Sequence, residues 1–308
     1  MDEVNGIINV IKPLQWTSME VVRRIKRFTG QKKVGHAGTL DPQATGVLPI
    51  CIGQATRVME YLVDSPKTYL ALVHLGVSTD SYDAMGQITE TKDPSYVTEQ
   101  DISTALEKYF GVFHQVPPMY SALKKDGERL YNLARAGKEV DRPPREVEIY
   151  KLKIIQWSPP EIRLEIECGR GMYVRSLAHD LGTDLGCGAH LKELSRLHTG
   201  PFDISTAVSM DQVEEACENG TWRSLLFSID FPLLKFKAAI VQRDKEDAIR
   251  RGQGIYLGLP SRDASPNDMY RLYSADGEFL ALLHPGKVRG LWQAQKVFRL
   301  RSRSSQSP

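Results

Sequence analysis

The sequence predicts an α+β fold, in which strands and helices are mixed without regular βαβ alternation. Segments with the two-residue period of strands are interspersed irregularly with segments of helical period. The character of the chain changes near Asp230–Lys237, after which a short charged segment is followed by a cluster of glycines at Gly252, Gly254 and Gly258. The length of 308 residues, with 41% hydrophobic and 25% charged side chains, favours a globular protein of about two domains.

The first elements are a short strand, Gly6–Ile11, and an amphipathic helix after it. Thr17 and Glu20 have the spacing of a capping box, in which each side chain accepts a hydrogen bond from the backbone of the other residue. Gly30 ends the helix, because glycine readily takes the left-handed conformation found there. The apolar face of this helix comprises Val21, Val22, Ile25 and Phe28. A buried strand or helix is expected at Val47–Ile52.

The later segments are assigned from the same signals of period, capping and turns. In the first domain we predict strands at Thr68–Gly76 and Gln87–Thr91, helices at Thr98–Phe110, Val174–Leu185 and Ser209–Asn219, and a hairpin of Glu146–Trp157 with Ile162–Cys168. After Lys237 we predict a helix at Asp244–Arg250, a polar loop at Ser261–Asp268, a hairpin of Met269–Ala275 with Glu278–His284, and a last strand at Lys296–Leu300.

Gln115–Arg145 differs from the segments around it. Prolines stand in pairs near its two ends, and between Lys124 and Arg145 seven basic residues accompany four acidic ones. We interpret this stretch as a loop inserted into the core, with some helix around Leu130–Ala136. A surface excursion without a binding role is the alternative interpretation.

Basic residues are concentrated between Lys12 and Thr39, where seven of them accompany a single acid, Glu20. This positive segment leads into a candidate active-site loop, and such an approach indicates a polyanionic substrate. For Arg23–Arg27 alone, a solvated helix face is the alternative. The basic residues are Lys12, Arg23, Arg24, Lys26, Arg27, Lys32 and Lys33.

The candidate loop is Val34–Gln54, with the sequence VGHAGTLDPQATGVLPICIGQ. Asp41 is a lone carboxylate in a turn where Gly38 permits a positive φ and Pro42 restricts Asp41 to extended conformations. A carboxylate presented so rigidly suits a nucleophile or an acid–base group. The alternative is an Asp-Pro turn whose carboxylate only caps its own backbone.

Several classes of protein are disfavoured by the sequence. No apolar run approaches the ~20 residues of a membrane helix and no signal-peptide pattern opens the chain, so we expect a cytoplasmic protein. The cysteines are widely separated, which argues against a zinc site and a disulfide framework and favours reduced thiols. They are Cys51, Cys168, Cys187 and Cys217. No phosphate-binding P-loop is present either.

GHAGTLDPQATGVLPICIGQATR resembles the signature of the bacterial tRNA pseudouridine synthase B family. Further blocks resemble the same family in the same order, namely NVIKPLQWTSMEVVRRI, KTYLALVHLGVSTDSYDAMG, QVPPMYSALKKDGERLYNLARAG, RGMYVRSLAHDLG and GAHLKELSR. The segment after Lys237 resembles, more weakly, the small β-barrel RNA-binding module (PUA domain) of that family. The resemblance implies the pseudouridine synthase fold, a mixed and largely antiparallel sheet flanked by helices. It also implies isomerisation of a uridine in the T-loop of tRNA.

The resemblance assigns three catalytic residues. Asp41 matches the catalytic aspartate, which attacks the ribose C1′ or a uracil carbon or assists a glycal route, and the sequence leaves these routes open. Arg175 matches the arginine that pairs with this carboxylate and keeps it ionised. Tyr69 matches the tyrosine that stacks on the target base and takes the ribose C2′ proton. The isomerisation needs no redox change and no group donor, so we expect neither a cofactor nor a metal.

Four more residues match substrate-binding positions of the family. Tyr173 and Leu194 match residues that line the uracil pocket. Lys12 belongs to a supporting loop, and His36 matches the histidine that takes the place of flipped nucleotides in the T-loop. One departure is Ser195, which stands where the family commonly has arginine in a Leu-Arg-Arg triplet. This change is expected to weaken a backbone or phosphate contact.

The predicted domains are a catalytic domain at 1–232, a PUA-like RNA-binding domain at 236–300 and a disordered basic tail at 301–308, with residues 115–145 as an RNA-clamping insertion. The expected partner is tRNA, bound by its T-arm and, through the C-terminal module, by its acceptor end. We expect a monomer without an obligatory protein partner. Two other functions remain open: a non-catalytic tRNA-folding chaperone, and a guide-dependent synthase acting on ribosomal RNA.

Overall fold

The computed structural model of the chain describes residues 3–121, 123–125, 127–138, 140–257, 268–288 and 290–300. Within these residues the strands, in chain order, are β1 (Gly6–Lys12), β2 (Val34–His36), β3 (Ala44–Ile52), β4 (Lys67–Leu75), β5 (Val77–Thr79), β6 (Ile88–Thr91), β7 (Gly111–Gln115), β8 (Lys124–Lys125), β9 (Glu128–Arg129), β10 (Arg145–Ser158), β11 (Glu161–Cys168), β12 (Ala189–Thr199), β13 (Phe202–Asp203), β14 (Leu226–Phe227), β15 (Lys237–Ile240), β16 (Ile255–Tyr256), β17 (Tyr270–Tyr273), β18 (Phe279–Pro285) and β19 (Leu291–Val297). The α-helices are α1 (Ser18–Thr29), α2 (Met59–Val63), α3 (Glu99–Glu107), α4 (Leu130–Arg135), α5 (Val174–Asp184), α6 (Met210–Glu218) and α7 (Arg243–Arg250).

A ten-stranded sheet forms the larger part of the molecule. Its main path runs β14-β1-β3-β12-β4-β11-β10-β7, with β2 paired to β3 and β13 to β12. β3 and β12 are parallel, whereas the other described pairs of this sheet are antiparallel. This mixed, largely antiparallel sheet confirms the predicted α+β class and places β3, β12 and β4 side by side at its centre.

The predicted helices of the first domain are confirmed, and local hydrogen bonds set their ends. α1 begins after Thr17, which forms the predicted capping box with Glu20, and it ends at Gly30 in the left-handed conformation. α6 begins after Ser209, which forms a second capping box with Gln212. The hairpin of β10 with β11 is confirmed as well. The strands predicted at Thr68–Gly76 and Gln87–Thr91 are observed as β4 and β6, but β6 pairs with the short β5 that follows β4 and not with β4 itself.

Alternate residues of β1 and β3 face opposite sides of the sheet, as the two-residue period of a strand requires. Ile8 and Ile50 are fully buried in the core that α1 and α6 cover. Ile7 and Val47 face the other side, where they pack against the C-terminal part of the chain. α3 and α5 cover the β4–β11 region in a further core. The β1–β3 part of the sheet is therefore buried on both faces.

The strands from β15 onward form a five-stranded sheet of order β15-β17-β18-β19-β16. Helix α7 packs on this sheet through Ile249. This confirms the predicted small β-rich, PUA-like module. The strand predicted at Lys296–Leu300 is wrong, because β19 ends at Val297. Phe298 instead enters a core shared with the first domain, and the backbone amide of Arg299 donates to the side chain of Gln54.

The module and the first domain share an apolar core. Its fully or nearly fully buried members include Phe279, Leu282 and Phe298 of the module with Ile7 and Val47 of the large sheet. Polar contacts surround this core: the Tyr61 hydroxyl donates to Oε1 of Gln295 at 2.7 Å, and Nζ of Lys296 lies 2.5 Å from Oε1 of Glu60. Removal of the module would expose the apolar outer face of the large sheet.

The insertion is described except at residues 122, 126 and 139. It contains the short strands β8 and β9 and the helix α4, so the predicted helix in this stretch is confirmed. The polar loop predicted at Ser261–Asp268 lies outside the described residues apart from Asp268, and the tail predicted at 301–308 lies wholly outside them.

The sequence led to predictions about the cysteine thiols and about membrane-spanning segments. The four cysteines are free, as predicted, and Cys51, Cys168 and Cys187 are buried. Within the described ranges, the chain contains no helix with the length and apolar character needed to cross a membrane.

Candidate active site

Asp41 lies in a tight turn between β2 and β3. Its backbone carbonyl accepts a hydrogen bond from the amide of Ala44 at 3.0 Å, which closes the turn and leads the chain into β3. Gly38, with a φ of 102°, makes the bend before it. Ser18 of α1 fixes the turn, because its hydroxyl bonds both the amide (2.9 Å) and the carbonyl (3.1 Å) of Leu40. The backbone closes this turn, so the Asp41 carboxylate is left for other partners.

Lys12 supports the same turn from the interior. The residue is fully buried, and its ammonium group donates to the carbonyls of Pro13 (2.7 Å), Trp16 (2.6 Å) and Pro42 (3.3 Å). Burial lowers the pKa of Lys12 to about 8, although the nearby Asp41 acts in the opposite direction. The ammonium group thus holds the supporting loop and presents no exposed donor to a ligand.

The structure brings Asp41 together with Arg175, from distant parts of the sequence. Nε of Arg175 lies 3.0 Å from Oδ2 of Asp41. Arg175 stands in the first turn of α5 with a side chain 6% exposed, whereas the Asp41 side chain is 40% exposed. Desolvation raises the pKa of Asp41, and the guanidinium of Arg175 acts against that rise. The ion pair therefore favours the charged carboxylate, which is the form a nucleophile needs.

Arg175 also contacts three groups from other segments. One guanidinium nitrogen lies 3.4 Å from Oδ2 of Asp83 and donates to the carbonyl of Ser81 at 3.3 Å. The other donates to the carbonyl of Tyr120 at 2.8 Å. Asp83 is held in turn by the amide of Met85 at 3.0 Å. Asp83 was not singled out from the sequence, and its only signal was a second carboxylate within a block that resembles the family.

Tyr69 and Leu194 form the apolar side of the site. Tyr69 lies in β4 and Leu194 in β12, and both half-buried side chains pack between the two cores on the helical face of the sheet. Leu194 and Asp41 line the same small depression. Burial raises the pKa of Tyr69, while Arg196, opposite it on β12, lowers it. Burial is the larger of the two effects, so the pKa of Tyr69 is raised overall and its hydroxyl loses a proton less readily than a free phenol.

Arg196 organises the strands behind the site. It was not singled out from the sequence, and its only signal was its place as the matching arginine of the Leu-Arg-Arg triplet in which Ser195 departs. The residue is 1% exposed, and its guanidinium donates to the carbonyls of Val47 at 2.8 Å and Gly38 at 3.1 Å. The parallel strands approach so closely here that a Cβ on Gly46 would lie 2.2 Å from the Arg196 carbonyl oxygen. Arg196 therefore connects β12 to both sides of the loop that carries Asp41.

Arg196→Met should lower the free energy of unfolding by about 3 kcal/mol, because the carbonyls of Val47 and Gly38 lose their buried donor and each such loss costs roughly 1–3 kcal/mol. Urea unfolding followed by circular dichroism measures the change. The exposed Arg251→Met is the matched control and should unfold like the wild type. Equal stability of the two variants would show that the Arg196 bonds do not hold the loop.

Tyr173 closes the site on the side of the insertion. Its amide donates to Oε1 of Gln115 at 2.8 Å, and its carbonyl accepts from Nε2 of Gln115 at 3.1 Å. Ser176 donates to the carbonyl of Val116 at 2.9 Å. Burial raises the pKa of Tyr173, and the Asp41 carboxylate acts in the same direction. The root of the insertion is therefore attached to the start of α5, next to the ion pair.

His36 lies in β2, and Ser195 lies beside Arg196 in β12. Burial lowers the pKa of His36, and the charge of Arg196 adds to this effect. Nδ1 of His36 is buried and has no hydrogen-bond partner among the residues that the structure describes. Ser195 is paired with Thr45 of β3 and Leu70 of β4, so the departure from the family triplet falls within the central strands.

The site thus combines an arginine-paired carboxylate, a phenol and an apolar wall at the centre of one sheet. Such a set can attack or deprotonate a sugar or a base and hold a planar ring against Tyr69. In the part of the chain that is described, no cluster of three or more His, Cys, Asp or Glu side chains is suited to hold a metal ion.

Comparison with protein families gives two adjoining matches. The family described as TruB family pseudouridylate synthase (N terminal domain) matches residues 26–174. The one described as tRNA pseudouridylate synthase B C-terminal domain matches residues 175–232. The first match contains Asp41 and Tyr69, and the second begins at Arg175.

Individual proteins match over nearly the whole chain. A protein named tRNA pseudouridine synthase B from Dehalococcoides mccartyi is 42% identical over 295 residues, which cover 96% of this chain and 97% of the relative. A protein of the same name from Geobacter sulfurreducens is 42% identical over 300 residues, covering 91% and 99%. Among solved structures, a chain from the crystal structure of a Cbf5-Nop10-Gar1 complex is 26% identical, with a TM-score of 0.72 and coverage of 96% and 85%.

Proposed function

This chain belongs to the TruB family of pseudouridylate synthases, and we infer that it isomerises a uridine in the T-loop of tRNA to pseudouridine. The relatives named tRNA pseudouridine synthase B match it along nearly their whole length. The structural observation that carries the inference is the pairing of Asp41 with Arg175 at 3.0 Å. Binding or folding of RNA alone does not require this ion pair.

The reaction breaks the C1′–N1 glycosidic bond, turns the uracil while it stays bound, and joins C1′ to C5. C5 loses a proton and N1 gains one, so substrate and product are isomers. We assign the bond-breaking step to Asp41. Attack on C1′, attack on a uracil carbon and a glycal route all begin with an ionised carboxylate at this place. Arg175 supports each of them, because it favours the ionised form.

Tyr69, Leu194 and Tyr173 are proposed to hold the free uracil between cleavage and re-attachment. Extruding a nucleotide from a folded loop costs on the order of a few kcal/mol. Stacking of the base on an aromatic ring contributes about 1–3 kcal/mol, which offsets much of this cost. Nδ1 of His36 lacks a hydrogen-bond partner among the described residues. We propose that His36 hydrogen-bonds the RNA at the position in the T-loop that the extruded uridine vacates. Lys12 would act through the loop that it supports.

Tyr69→Phe separates stacking from proton transfer. The ring and its contacts remain, so RNA affinity should stay within about twofold of the wild type. If the hydroxyl moves the ribose C2′ proton, the single-turnover rate should fall by about 10²–10⁴-fold, the range for general acid–base groups. Tyr61→Phe, which loses a hydroxyl at the domain interface, is the matched control. An unchanged rate would confine Tyr69 to stacking.

We propose that residues 1–232 perform the chemistry and that the module at 236–300 supplies affinity for the body of the tRNA. The module carries Arg251 and Arg299 in a cleft that it forms with Gln54 and Arg57 of the first domain. Such arginines suit a phosphate backbone. Because the module shares a core with the first domain, truncation near Phe231 would confound binding with stability. We further propose that the protein acts as a monomer in the cytoplasm.

The function is tested by assaying the purified protein on unmodified tRNA without guide RNA. We expect one pseudouridine per tRNA, in the T-loop, and none when that uridine is replaced by cytidine. An isolated T-arm hairpin should reach the same single-turnover rate at a higher half-saturating concentration, because it lacks contacts with the module. Folding of tRNA without modification would favour the chaperone. Modification only with a guide RNA and partner proteins would favour the guide-dependent synthase.

A further inference from the structure

A second basic surface lies beside the Asp41 turn and is not used by the chemistry described above. It is an open cleft of roughly 360 Å³. Trp16, which precedes the N-cap residue Thr17, and the outer face of α1 form its walls. Its lining residues are Trp16, Glu20, Arg23, Arg24 and Arg27. Three guanidinium groups thus face one carboxylate. We refer to this surface as the α1 cleft.

The charges of the α1 cleft are largely uncompensated. Glu20 is occupied by the cap, since its Oε2 accepts from the amide of Thr17 at 2.6 Å, and its Oε1 lies 4.0 Å from Arg23. Arg24 and Arg27 have no carboxylate within 4.0 Å among the described residues. Arg24 instead stacks on the Trp16 ring, with 4.9 Å from the guanidinium carbon to the ring centroid. A stacked guanidinium keeps its edge N–H groups free for an anion.

The α1 cleft is rigidly joined to the catalytic turn. The amide of Gln15 donates to the carbonyl of Pro42 at 2.7 Å, and Lys12 bonds the carbonyls of both Pro42 and Trp16. Ser18, at the start of α1, bonds both backbone groups of Leu40. One part of a ligand bound at Asp41 and another part bound in the cleft would therefore lie at a fixed separation.

The turn between the cleft and Asp41 has a conformation that side chains rarely adopt. Gln15 has a φ of 66°, in the left-handed region, and its side chain is exposed. The preceding Leu14 is 54% exposed. A residue other than glycine held in this region is a common feature of ligand-binding segments. The turn thus presents exposed side chains of Leu14 and Gln15 next to Trp16 of the cleft.

We propose that the α1 cleft is a second RNA-binding subsite, which takes the backbone phosphates and one stacked base of the strand next to the target uridine. The proposal rests on the function inferred above. Arginines bind RNA both through their edges, which bond phosphates, and through their planes, on which bases stack. Arg24 and Arg27 carry the phosphate contacts. The base stacks on the outer plane of the Arg24 guanidinium, whose inner plane lies on the Trp16 ring. Lys12 does not contribute, because it is buried.

The test measures binding of a T-arm hairpin by fluorescence anisotropy over a range of NaCl concentrations. The double variant Arg24→Gln/Arg27→Gln should bind about 100-fold more weakly, since each of the two charged hydrogen bonds is worth about a decade of affinity. Its slope of log affinity against log salt should be flatter by about 1.5, because two phosphate contacts release fewer counterions. Trp16→Leu removes the ring that supports the Arg24 guanidinium, so it should weaken binding by about tenfold. The slope should stay unchanged, because both arginine charges remain.

Arg223→Gln is the matched control, since Arg223 is an exposed arginine over the ring of Trp222 at 5.3 Å and lies outside the cleft. It should bind like the wild type. A double variant with wild-type affinity and slope would overturn the proposal and leave the arginines as a solvated helix face. The readout is binding, so it is independent of whether the isomerisation occurs, which is measured separately on the wild type. Should Trp16→Leu fail to fold, the arginine variants still decide the outcome.

Discussion

Asp41→Asn should abolish isomerisation while RNA binding stays within about twofold of the wild type. The amide has nearly the size of the carboxylate and can still accept a hydrogen bond from Arg175, but it is not ionised and is a very poor nucleophile. Loss of a residue that takes part in covalent catalysis typically costs about 10⁴-fold or more in rate. Single-turnover conversion of a T-arm uridine measures this loss, and anisotropy measures the affinity.

The control for Asp41→Asn is Asp64→Asn, in which an exposed aspartate that pairs with Arg170 at 2.9 Å loses the same charge away from the site. It should retain the wild-type rate. Turnover of Asp41→Asn within tenfold of the wild type would remove Asp41 from the catalytic role. Loss of RNA binding in parallel with loss of turnover would instead indicate that the turn between β2 and β3 had been disturbed.

Local sequence signals predicted the elements whose ends are fixed by local bonds. The Thr17–Glu20 pattern predicted the start of α1 correctly, because a capping box involves two residues that are only three positions apart. The hairpin of β10 with β11 was predicted for the same reason. The last strand was misplaced because the position of Phe298 depends on a core shared with residues more than two hundred positions earlier. Nothing near Phe298 in the sequence reports that contact.

The sequence predicted those contacts of the candidate site for which the family resemblance supplied a pairing between distant residues. It did not single out residues whose contacts depend on their burial in the folded chain. Asp41 and Arg175 could be paired only by the family pattern, since no local rule connects them. Arg196 is buried between strands that are parallel and distant in sequence, whereas arginine in general is a surface residue. Asp83 acquires its role from a contact with Arg175 that depends on the folding of a turn against α5.

Arg175→Lys is the second change with a large expected effect. Arg175 bonds Asp41, Asp83 and the carbonyls of Ser81 and Tyr120 from one planar group. A single ammonium group cannot reach all four, and arginine and lysine are not equivalent at such a site. We expect the single-turnover rate to fall by about 10²–10³-fold, as for other lost electrostatic and positioning contacts. Arg170→Lys, on the exposed pair with Asp64, is the matched control and should keep the wild-type rate.

The pH dependence separates charge from geometry in this variant. Arg175 lowers the pKa of Asp41 against the rise caused by burial, so removing its charge raises that pKa further. If the carboxylate is the reactive form, as we propose, the acid limb of the rate profile should move to higher pH in Arg175→Gln, and the rate should recover partly as the pH increases. Arg175→Lys keeps a positive charge near Asp41, so its acid limb should move less while its maximal rate stays low. A profile of Arg175→Gln with an unmoved acid limb would contradict electrostatic control of Asp41, and the guanidinium would then act by position alone.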